Sequence, residues 1–171
     1  MAERLSEPFL LQRDLAAPRH LVFAALTQAD HLQQWMSPPG MTMSTCRLDL
    51  RPGGVFHYGL RGPTGPTMWG QWIFREIVAP ERLTVVVQFS DADGAVTRHP
   101  LAPQWPLSTL STTTLTEAGG VTTLRLEWRA LDATDAEVQL FDASHAGLSM
   151  GWGGTIDQLS AHLLAVQRGA H

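Results

Sequence analysis

Hydrophobic and polar residues alternate with a period of two through most of the middle of the chain. In Arg82–Ser90 the alternate positions are Leu83, Val85, Val87 and Phe89, a pattern typical of a half-buried strand. Similar patterning or strand-like composition predicts six further strands, at Phe9–Leu15, 41–50, Val55–Arg61, Met68–Val78, Ser108–Glu117 and Val121–Leu131. Residues 91–106 contain three prolines and little periodicity, which predicts a long loop.

Helical spacing replaces this alternation near both ends of the chain. Leu21, Val22 and Ala25 predict a short helix after the first strand, and a second one covers residues 28–35. The final helix is predicted to follow Thr134, because Thr134 and Glu137 fit a capping box. One apolar stripe runs along this helix and contains Trp152, Ile156, Leu159, Leu163 and Val166.

Glycines interrupt the first part of the predicted C-terminal helix, at Gly147, Gly151, Gly153 and Gly154. Each glycine costs roughly 1 kcal/mol relative to alanine in an exposed helix interior. Because glycine has no side chain, we expect the helix to be narrower where it crosses the sheet. This leaves either empty space or room for the helix to pack closely against the sheet.

The order of the predicted elements favours an α+β fold. Adjacent strands joined by tight turns are typical of an antiparallel sheet with helices packed on one face. One such turn is Arg51-Pro52-Gly53-Gly54, because proline followed by glycine meets the backbone requirements of a type II turn. With 171 residues and no obvious linker, we expect a single domain over residues 1–171, with its core at about 9–168.

Composition excludes several classes of function. The net charge is −4 and the pI about 5.9, so the chain lacks the positive charge that holds nucleic acid. All twelve basic residues are arginine, so no side chain can form a Schiff base. The N-terminus is polar and no stretch approaches the roughly 20 apolar residues of a membrane span. We therefore expect a cytoplasmic protein.

Four motifs occur in an order that resembles a known superfamily. They are Ala17-Pro18-Arg19-His20-Leu21-Val22-Phe23 with Trp35, Leu48-Asp49-Leu50-Arg51-Pro52-Gly53-Gly54-Val55-Phe56, Gly70 with Ile77-Val78-Ala79-Pro80-Glu81-Arg82-Leu83, and Gly151-Trp152 with Leu159 and Leu163. Together they span nearly the whole chain. The chain resembles the SRPBCC (START/Bet v-like) superfamily, in the branch named after the C-terminal domain of the heat-shock-protein-90 ATPase activator.

This resemblance implies a helix-grip fold, in which a curved antiparallel sheet wraps around a long C-terminal helix. It also implies a cavity between sheet and helix, where relatives hold apolar molecules such as lipids, sterols or polyketides. The eukaryotic activator resembles this chain only in its C-terminal half, and the additional domain that engages the chaperone has no counterpart here. The part of the activator that engages the chaperone therefore lies outside the resemblance.

Aromatic residues are the first candidates for ligand contacts. Side chains two apart in a strand share a face, so Phe56 pairs with Tyr58 and Trp72 with Phe74. The alternative interpretation is a solid aromatic core without a cavity. With the final helix included, the predicted cavity residues are Phe56, Tyr58, Trp72, Phe74, Phe89, Trp128, His145, Met150 and Trp152.

Titratable residues show no catalytic or metal-binding motif. His57 should face away from Phe56 and Tyr58 into solvent, while His99 and His145 are candidates for a polar ligand contact. The histidines lack metal-ligand spacing, so we expect neither a metal nor a cofactor. Cys46 is the only cysteine and lies mid-strand, where a buried thiol is inert.

The carboxylates allow a further alternative. Four of them, Glu76, Glu127, Asp142 and Asp157, lie within predicted strands or helices, and a buried one would serve as a general acid or base. Glu127 also lies between Arg125 and Arg129 at a spacing of two, which indicates an Arg–Glu–Arg ladder on one sheet face.

Three functional hypotheses follow. The first is a binding domain that holds a small apolar or amphipathic molecule and catalyses no reaction. The second is a polyketide cyclase-like or hydrolase-like enzyme that uses an acid or base in the cavity. The third is a stress-related co-chaperone, which would need an exposed apolar patch. The loop at 91–107 is either a lid over the cavity or a homodimer contact, and the sequence does not decide between them.

Overall fold

One antiparallel sheet and four helices form the part of the chain that this computed structural model describes, residues 7–169. In chain order the elements are β1 (Phe9–Leu15), α1 (Arg19–Thr27), α2 (Ala29–Trp35), β2 (Thr42–Leu48), β3 (Val55–Arg61), β4 (Met68–Val78), β5 (Arg82–Ser90), β6 (Val96–Thr97), β7 (Ser108–Ala118), β8 (Val121–Leu131), α3 (Asp135–Ala143) and α4 (His145–Gly169).

The strands are ordered β1-β8-β7-β5-β4-β3-β2, and the short β6 pairs with β5. The first strand therefore pairs with the last long one, and every pairing is antiparallel. Two short helices follow β1, and a 25-residue helix, α4, is the last described element. The predicted α+β helix-grip fold is confirmed. Strand β6 lies inside the segment that was predicted as loop.

Two bulges interrupt the alternation within the strands. The register shifts at Ser44 in β2 and at Arg75 in β4, where one extra residue enters the strand. Met43 therefore packs against the core together with Cys46, whereas strict alternation placed them on opposite faces. Because bulges bend the strand that carries them, they add curvature to this edge of the sheet.

The turn between β2 and β3 has the predicted type II geometry. Gly53 has a φ of +82°, and the amide of Gly54 donates to the carbonyl of Arg51 at 2.8 Å. Phe74 continues the ladder from β4, since its amide donates to Gly54 O at 3.0 Å. The turn is therefore tied to the centre of the sheet.

The C-terminal helical segment divides at Ser144. Helix α3 begins as predicted, with the amide of Glu137 donating to the Thr134 hydroxyl at 3.2 Å. The glycines do not end a helix, because all four lie within α4. The predicted apolar stripe of α4 is confirmed, since Ile156, Leu159 and Leu163 are buried.

Polar side chains attach α4 to the rest of the fold. Arg13 of β1 donates to Asp157 at 2.6 Å. Gln158 donates to the carbonyls of Trp35 and Ser37 at 2.8 and 2.7 Å, at the end of α2. Helix α4 is therefore held between β1 and α2. No helix within residues 7–169 is long and apolar enough to cross a membrane.

Buried side chains form two separate core clusters. The larger joins α1, α2, the sheet and the second half of α4 around residues such as Phe56, Leu115 and Leu159. The smaller is aromatic and centres on Trp128 and Phe141. Trp152 packs against both clusters, and the space between them remains open.

Candidate functional site: a cavity between the sheet and the C-terminal helix

A cavity of about 680 Å³ lies between the sheet, the α3–α4 region and the loop before β7. This volume falls within the range of roughly 300–1,000 Å³ that is typical of small-molecule sites. Trp72, Trp128 and Trp152 line the cavity, and they do not fill it. Helix α4 contributes Gly147, where a Cβ atom would meet no atom within 4 Å. The glycine at this position therefore leaves empty space.

The sheet forms the floor of the cavity, and strand register explains its composition. Ser111 of β7 lies opposite Trp128 of β8 on one side and Val85 of β5 on the other. Two residues further along, Thr113 lies between Leu126 and Leu83. All six of these side chains line the cavity. The floor is thus a row of hydroxyl groups bordered by apolar rows.

Tyr58 of β3 lines the same cavity. Burial raises the pKa of its phenol to about 12, partly offset by a hydrogen bond with the Trp72 side chain, which lowers it. Because an indole N–H can only donate, the Tyr58 oxygen accepts this bond. At neutral pH the phenol keeps its proton and can donate it in a second hydrogen bond. Tyr58 is therefore a neutral polar group within an otherwise mostly apolar wall.

His99 lines the cavity from the loop before β7. Its ring centroid lies 4.5 Å from that of Phe89, and its Nδ1 accepts a hydrogen bond from the amide of Leu101 at 3.0 Å. Burial lowers the pKa of His99, so the imidazole is neutral at pH 7 with its proton on Nε2. Among residues 7–169, no aspartate, glutamate or arginine lines the cavity. The lining is therefore uncharged at neutral pH.

The loop at 98–107 covers one side of the cavity and is attached to α3 through Glu137. This carboxylate is only 7% exposed. It accepts a hydrogen bond from the amide of Leu107 at 3.3 Å and lies 3.4 Å from Nη1 of Arg98. Trp105 packs its ring against Trp128 and Phe141, with centroids 5.9 and 5.4 Å away. The loop is therefore an ordered wall that contributes His99, Ala102, Trp105 and Pro106 to the lining.

Comparison with known proteins places this arrangement in a family. Residues 16–164 match the family described as "Activator of Hsp90 ATPase homolog 1-like protein". The chain belongs to this family. The resemblance to the SRPBCC superfamily and to this branch of it is thereby confirmed. The fold of the family is compatible with small-ligand binding.

Several solved structures share the fold. A protein from Nitrosomonas europaea is 27% identical, with 96% of this chain and 97% of that chain covered and a TM-score of 0.73. A protein from Staphylococcus epidermidis is 22% identical, with 94% and 91% covered and a TM-score of 0.75. The protein Ms6760 from Mycobacterium smegmatis is 23% identical, with 92% and 91% covered and a TM-score of 0.72. No curated protein is similar enough in sequence to match this chain.

Five of the residues predicted to contact a ligand line the cavity: Tyr58, Trp72, Phe89, Trp128 and Trp152. Phe56 and Phe74 share the inner face but are fully enclosed by the larger core cluster. The ring of Phe56 lies 5.0 Å from those of both Tyr58 and Trp72. Alternation identified the correct face of these strands. The position of a residue along its strand decides whether its side chain borders the cavity or is enclosed in the core.

Met150 and His145 lie away from the cavity lining. Met150 is 82% exposed. Successive residues of a helix are about 100° apart, so Met150 points about 200° away from the lining residues Leu148 and Trp152. The His145 ring packs between Phe9 and Phe141, at centroid distances of 5.6 and 5.5 Å. His145 therefore belongs to the aromatic core cluster.

The prediction that His57 faces solvent is wrong. It does lie on the outer face of β3, but it is only 8% exposed. Its ring stacks on Trp69 at 5.2 Å, and its Nε2 lies 3.1 Å from the carbonyl oxygen of Asp91. Alternation predicts only the direction of a side chain, whereas the segment after β5 returns across this face and covers it.

Several cavity residues were not predicted from the sequence. Thr109, Ser111 and Thr113 line the floor, and their spacing of two within a threonine-rich strand was the available signal. Leu26 of α1, Trp35 of α2 and Met36, which directly follows α2, also line the cavity, and the sequence contains no comparable signal for them. Within residues 7–169, no three histidine, cysteine or acidic side chains form a group that could hold a metal ion.

The remaining candidates from the sequence lie outside the cavity lining. Cys46 is partly buried and packs against the larger core cluster. Two of the candidate carboxylates form ion pairs at the surface. Glu76 pairs with Arg82, and Glu127 lies 2.8 Å from Nη2 of Arg129. Only the Arg129 side of the expected Arg–Glu–Arg ladder forms such a contact in the structure.

Proposed function

We propose that this protein binds a small, uncharged, apolar or amphipathic molecule in the cavity between the sheet and α4. The unfilled volume of about 680 Å³ with an uncharged lining is the observation that supports this proposal. Leucine, valine and tryptophan side chains would replace water around the apolar part of such a molecule, which favours binding. The neutral hydroxyl, phenol and imidazole groups would hold its polar atoms.

The absence of charge along the described lining argues for a neutral ligand. An ionised carboxylate or amine placed in this cavity would lose its water without meeting an opposite charge, at a large cost in free energy. We therefore expect decanol to bind more tightly than decanoate, since the two differ mainly in their charged end. Equal affinities for this pair would contradict the proposed selectivity for neutral molecules.

The tryptophans provide a direct measurement of binding. Five of the six in the chain line the cavity: Trp35, Trp72, Trp105, Trp128 and Trp152. Titration with the uncharged dye Nile red should change both the tryptophan emission and the emission of the dye. Decanol should then displace the dye. If neither Nile red nor decanol bound to the folded protein, the proposal would fail.

Two glycines of α4 offer a matched pair of variants that locate the bound molecule. A Cβ atom would meet nothing within 4 Å at Gly147, which lines the cavity, or at Gly154, which does not. Both substitutions also replace glycine by phenylalanine within the same helix. We expect Gly147→Phe to weaken Nile red binding at least 10-fold and Gly154→Phe to leave it unchanged. Equal effects of the two variants would place the dye outside the cavity.

The enzymatic alternative retains two candidate groups, because Tyr58 and His99 are titratable and line the cavity. A phenol with a pKa of about 12 is a poor proton donor at neutral pH, and no lining carboxylate within residues 7–169 accompanies His99. This chemistry favours hydrogen bonding to a ligand over proton transfer. A catalytic role would require that His99→Gln abolish turnover of a bound molecule while its affinity is retained.

The family description refers to an activator of the Hsp90 ATPase, so a chaperone partner is the third alternative. Such a partner would need a continuous apolar docking patch. Among residues 7–169, the most exposed large apolar side chains lie on separate elements: Leu10 on β1, Leu101 in the loop before β7, and Met150 on α4. These three side chains do not form one stripe along a single element, and the uncharged cavity remains the observation that favours the binding-domain hypothesis.

A further inference from the structure

Strand β7 places hydroxyl groups along the centre of the cavity floor. Thr109, Ser111 and Thr113 line the cavity from alternate positions of this strand. The residues beside them on the floor are apolar, namely Val87, Val85 and Leu83 on β5 and Ala130, Trp128 and Leu126 on β8. Valine has nearly the shape of threonine, so packing alone does not require hydroxyl groups at these positions.

The hydroxyl groups of Ser111 and Thr113 form no hydrogen bond with other described residues, in contrast to their neighbours on β7. The Thr109 hydroxyl donates to Val87 O at 3.3 Å, and Thr112 on the opposite face bonds to Thr84 at 3.5 Å. Within residues 7–169, no comparable side-chain hydrogen bond is formed by Ser111 or Thr113. Both are therefore free to donate to, or accept from, a molecule in the cavity.

Trp128 provides an independent observation beside this row. It lies directly across from Ser111, lines the cavity, and is only 8% exposed. Its indole Nε1 is buried and has no hydrogen-bond partner among the described residues. A buried donor without a partner is costly, so apolar packing alone does not explain an indole at this position beside the row.

We propose that Ser111 and Thr113, with Trp128 beside them, select ligands that carry oxygen groups along one edge of an apolar body. This inference rests on the proposed function and specifies its ligand class. Alternate residues of a strand lie about 6.6 Å apart, so the two hydroxyls would suit two oxygen atoms separated by a comparable distance. Carbonyl and hydroxyl oxygens both qualify, since the serine and threonine hydroxyls both donate and accept.

A matched pair of probes separates this inference from cavity binding in general. Naphthalene and 2,6-dihydroxynaphthalene share a ring system, are both uncharged at pH 7, and differ only in the two oxygens. Calorimetry should show that Ser111→Ala combined with Thr113→Val weakens the binding of 2,6-dihydroxynaphthalene about 10-fold or more. Each lost neutral hydrogen bond accounts for about 3- to 10-fold of this change. Naphthalene should bind the variant as tightly as it binds the wild type, or slightly more tightly.

Thr112→Val is the matched control, because it removes a hydroxyl from the same strand on the opposite face. It should leave both affinities unchanged, and unfolding curves should show that all variants are folded. If the double variant changed both affinities equally, or neither, the inference would be overturned while the proposed function stood. If neither probe bound the wild type, and Gly147→Phe also had no effect on Nile red, both would be overturned.

Discussion

Tyr58 and Gly70 lie opposite each other on β3 and β4, and a Cβ atom at Gly70 would be 2.6 Å from the phenolic oxygen. The aromatic ring therefore occupies the space that a side chain on the neighbouring strand would need. Glycine at position 70 is what permits Tyr58 to lie flat along this wall of the cavity.

Gly70→Ala should therefore destabilise the fold and displace Tyr58. The added methyl group would lie within 3 Å of the phenolic oxygen and two ring carbons of Tyr58. Because overpacking a well-filled site costs typically about 1–3 kcal/mol, we expect a loss of this size in the free energy of unfolding, measured with urea. Gly154→Ala is the control, since its Cβ meets nothing within 4 Å and helix propensity predicts a small gain. Wild-type stability in Gly70→Ala would contradict the observed contact.

The titration of Tyr58 can be measured directly, because it is the only tyrosine in the chain. Its pKa is raised to about 12 in the folded protein by burial, compared with about 10 in an unfolded chain. Absorbance at 295 nm should therefore show ionisation near pH 12 in the folded state, and near pH 10 in denaturant. A folded-state midpoint near pH 10 would show that the phenol is open to water.

The same shift predicts how stability depends on alkaline pH. Between about pH 10 and 12 the folded state binds more protons than the unfolded state, so the free energy of unfolding falls as the pH rises. The contribution of Tyr58 is complete below pH 10 and is lost as the pH rises through about 12. Tyr58→Phe should reduce this loss, and urea unfolding at pH 9 and pH 11 would measure it.

His162 of α4 contacts His31 of α2, with His31 Nδ1 2.8 Å from His162 Nε2. Burial and the neighbouring His31 lower the pKa of His162 below its usual 6.5. Below about pH 6.5 the unfolded state therefore binds more protons than the folded state, and stability falls as the pH falls.

His162→Gln should make stability less sensitive to acid between pH 7 and 5, as measured by urea unfolding at a series of pH values. His20→Gln provides the comparison, because His20 is an exposed histidine on α1. Identical pH profiles for wild type and His162→Gln would contradict the role assigned to this pair.

Glu137 connects the loop at 98–107 to α3, and its removal should loosen this wall of the cavity. Glu137→Ala would leave the amide of Leu107 and the guanidinium of Arg98 without their common acceptor. A buried donor that loses its acceptor lowers the free energy of unfolding by about 1–3 kcal/mol, which urea unfolding would measure. We also expect faster amide hydrogen exchange in residues 98–107.

Glu127→Ala is a suitable control for this experiment. Its ion pair with Arg129 lies at the surface of the sheet, where such pairs contribute about 0–1 kcal/mol. It should leave exchange in the 98–107 loop unchanged. If both variants behaved alike, the loop would be held by its aromatic contacts through Trp105 and not by Glu137.

Local patterns in the sequence predicted most of the fold. The alternation of Leu83, Val85, Val87 and Phe89 identified β5, and the Pro52-Gly53 pair identified the type II turn. These predictions succeeded because a strand face and a turn conformation depend on residues that are close in the chain. The bulges at Ser44 and Arg75 were not predicted at their positions, because an extra residue in a strand is set by its pairing with the neighbouring strand.

The cavity was less accessible to prediction from the sequence. Tyr58, Trp72 and Trp128 were predicted on the inner face of the sheet, but Phe56 and Phe74 share that face and lie in solid core. Whether the five lining residues contact a ligand stays a prediction, as does the extent of the single domain over residues 1–171. On α4, the rotation of about 100° between successive helical residues can be read from the sequence. It places Met150 away from the cavity-lining residues Leu148 and Trp152, so it predicts this helix better than residue type alone.

The sequence by itself determined the order of the seven long strands, the inward-facing residues of a regular strand such as β5, and the family to which the chain belongs. Only the tertiary structure decided that Trp72, Trp128 and Trp152 surround an open space, that the segment after β5 buries His57, and that Ser111 lies beside Trp128. The physical reason is range: backbone geometry repeats every few residues, whereas empty volume depends on how side chains distant in the chain meet.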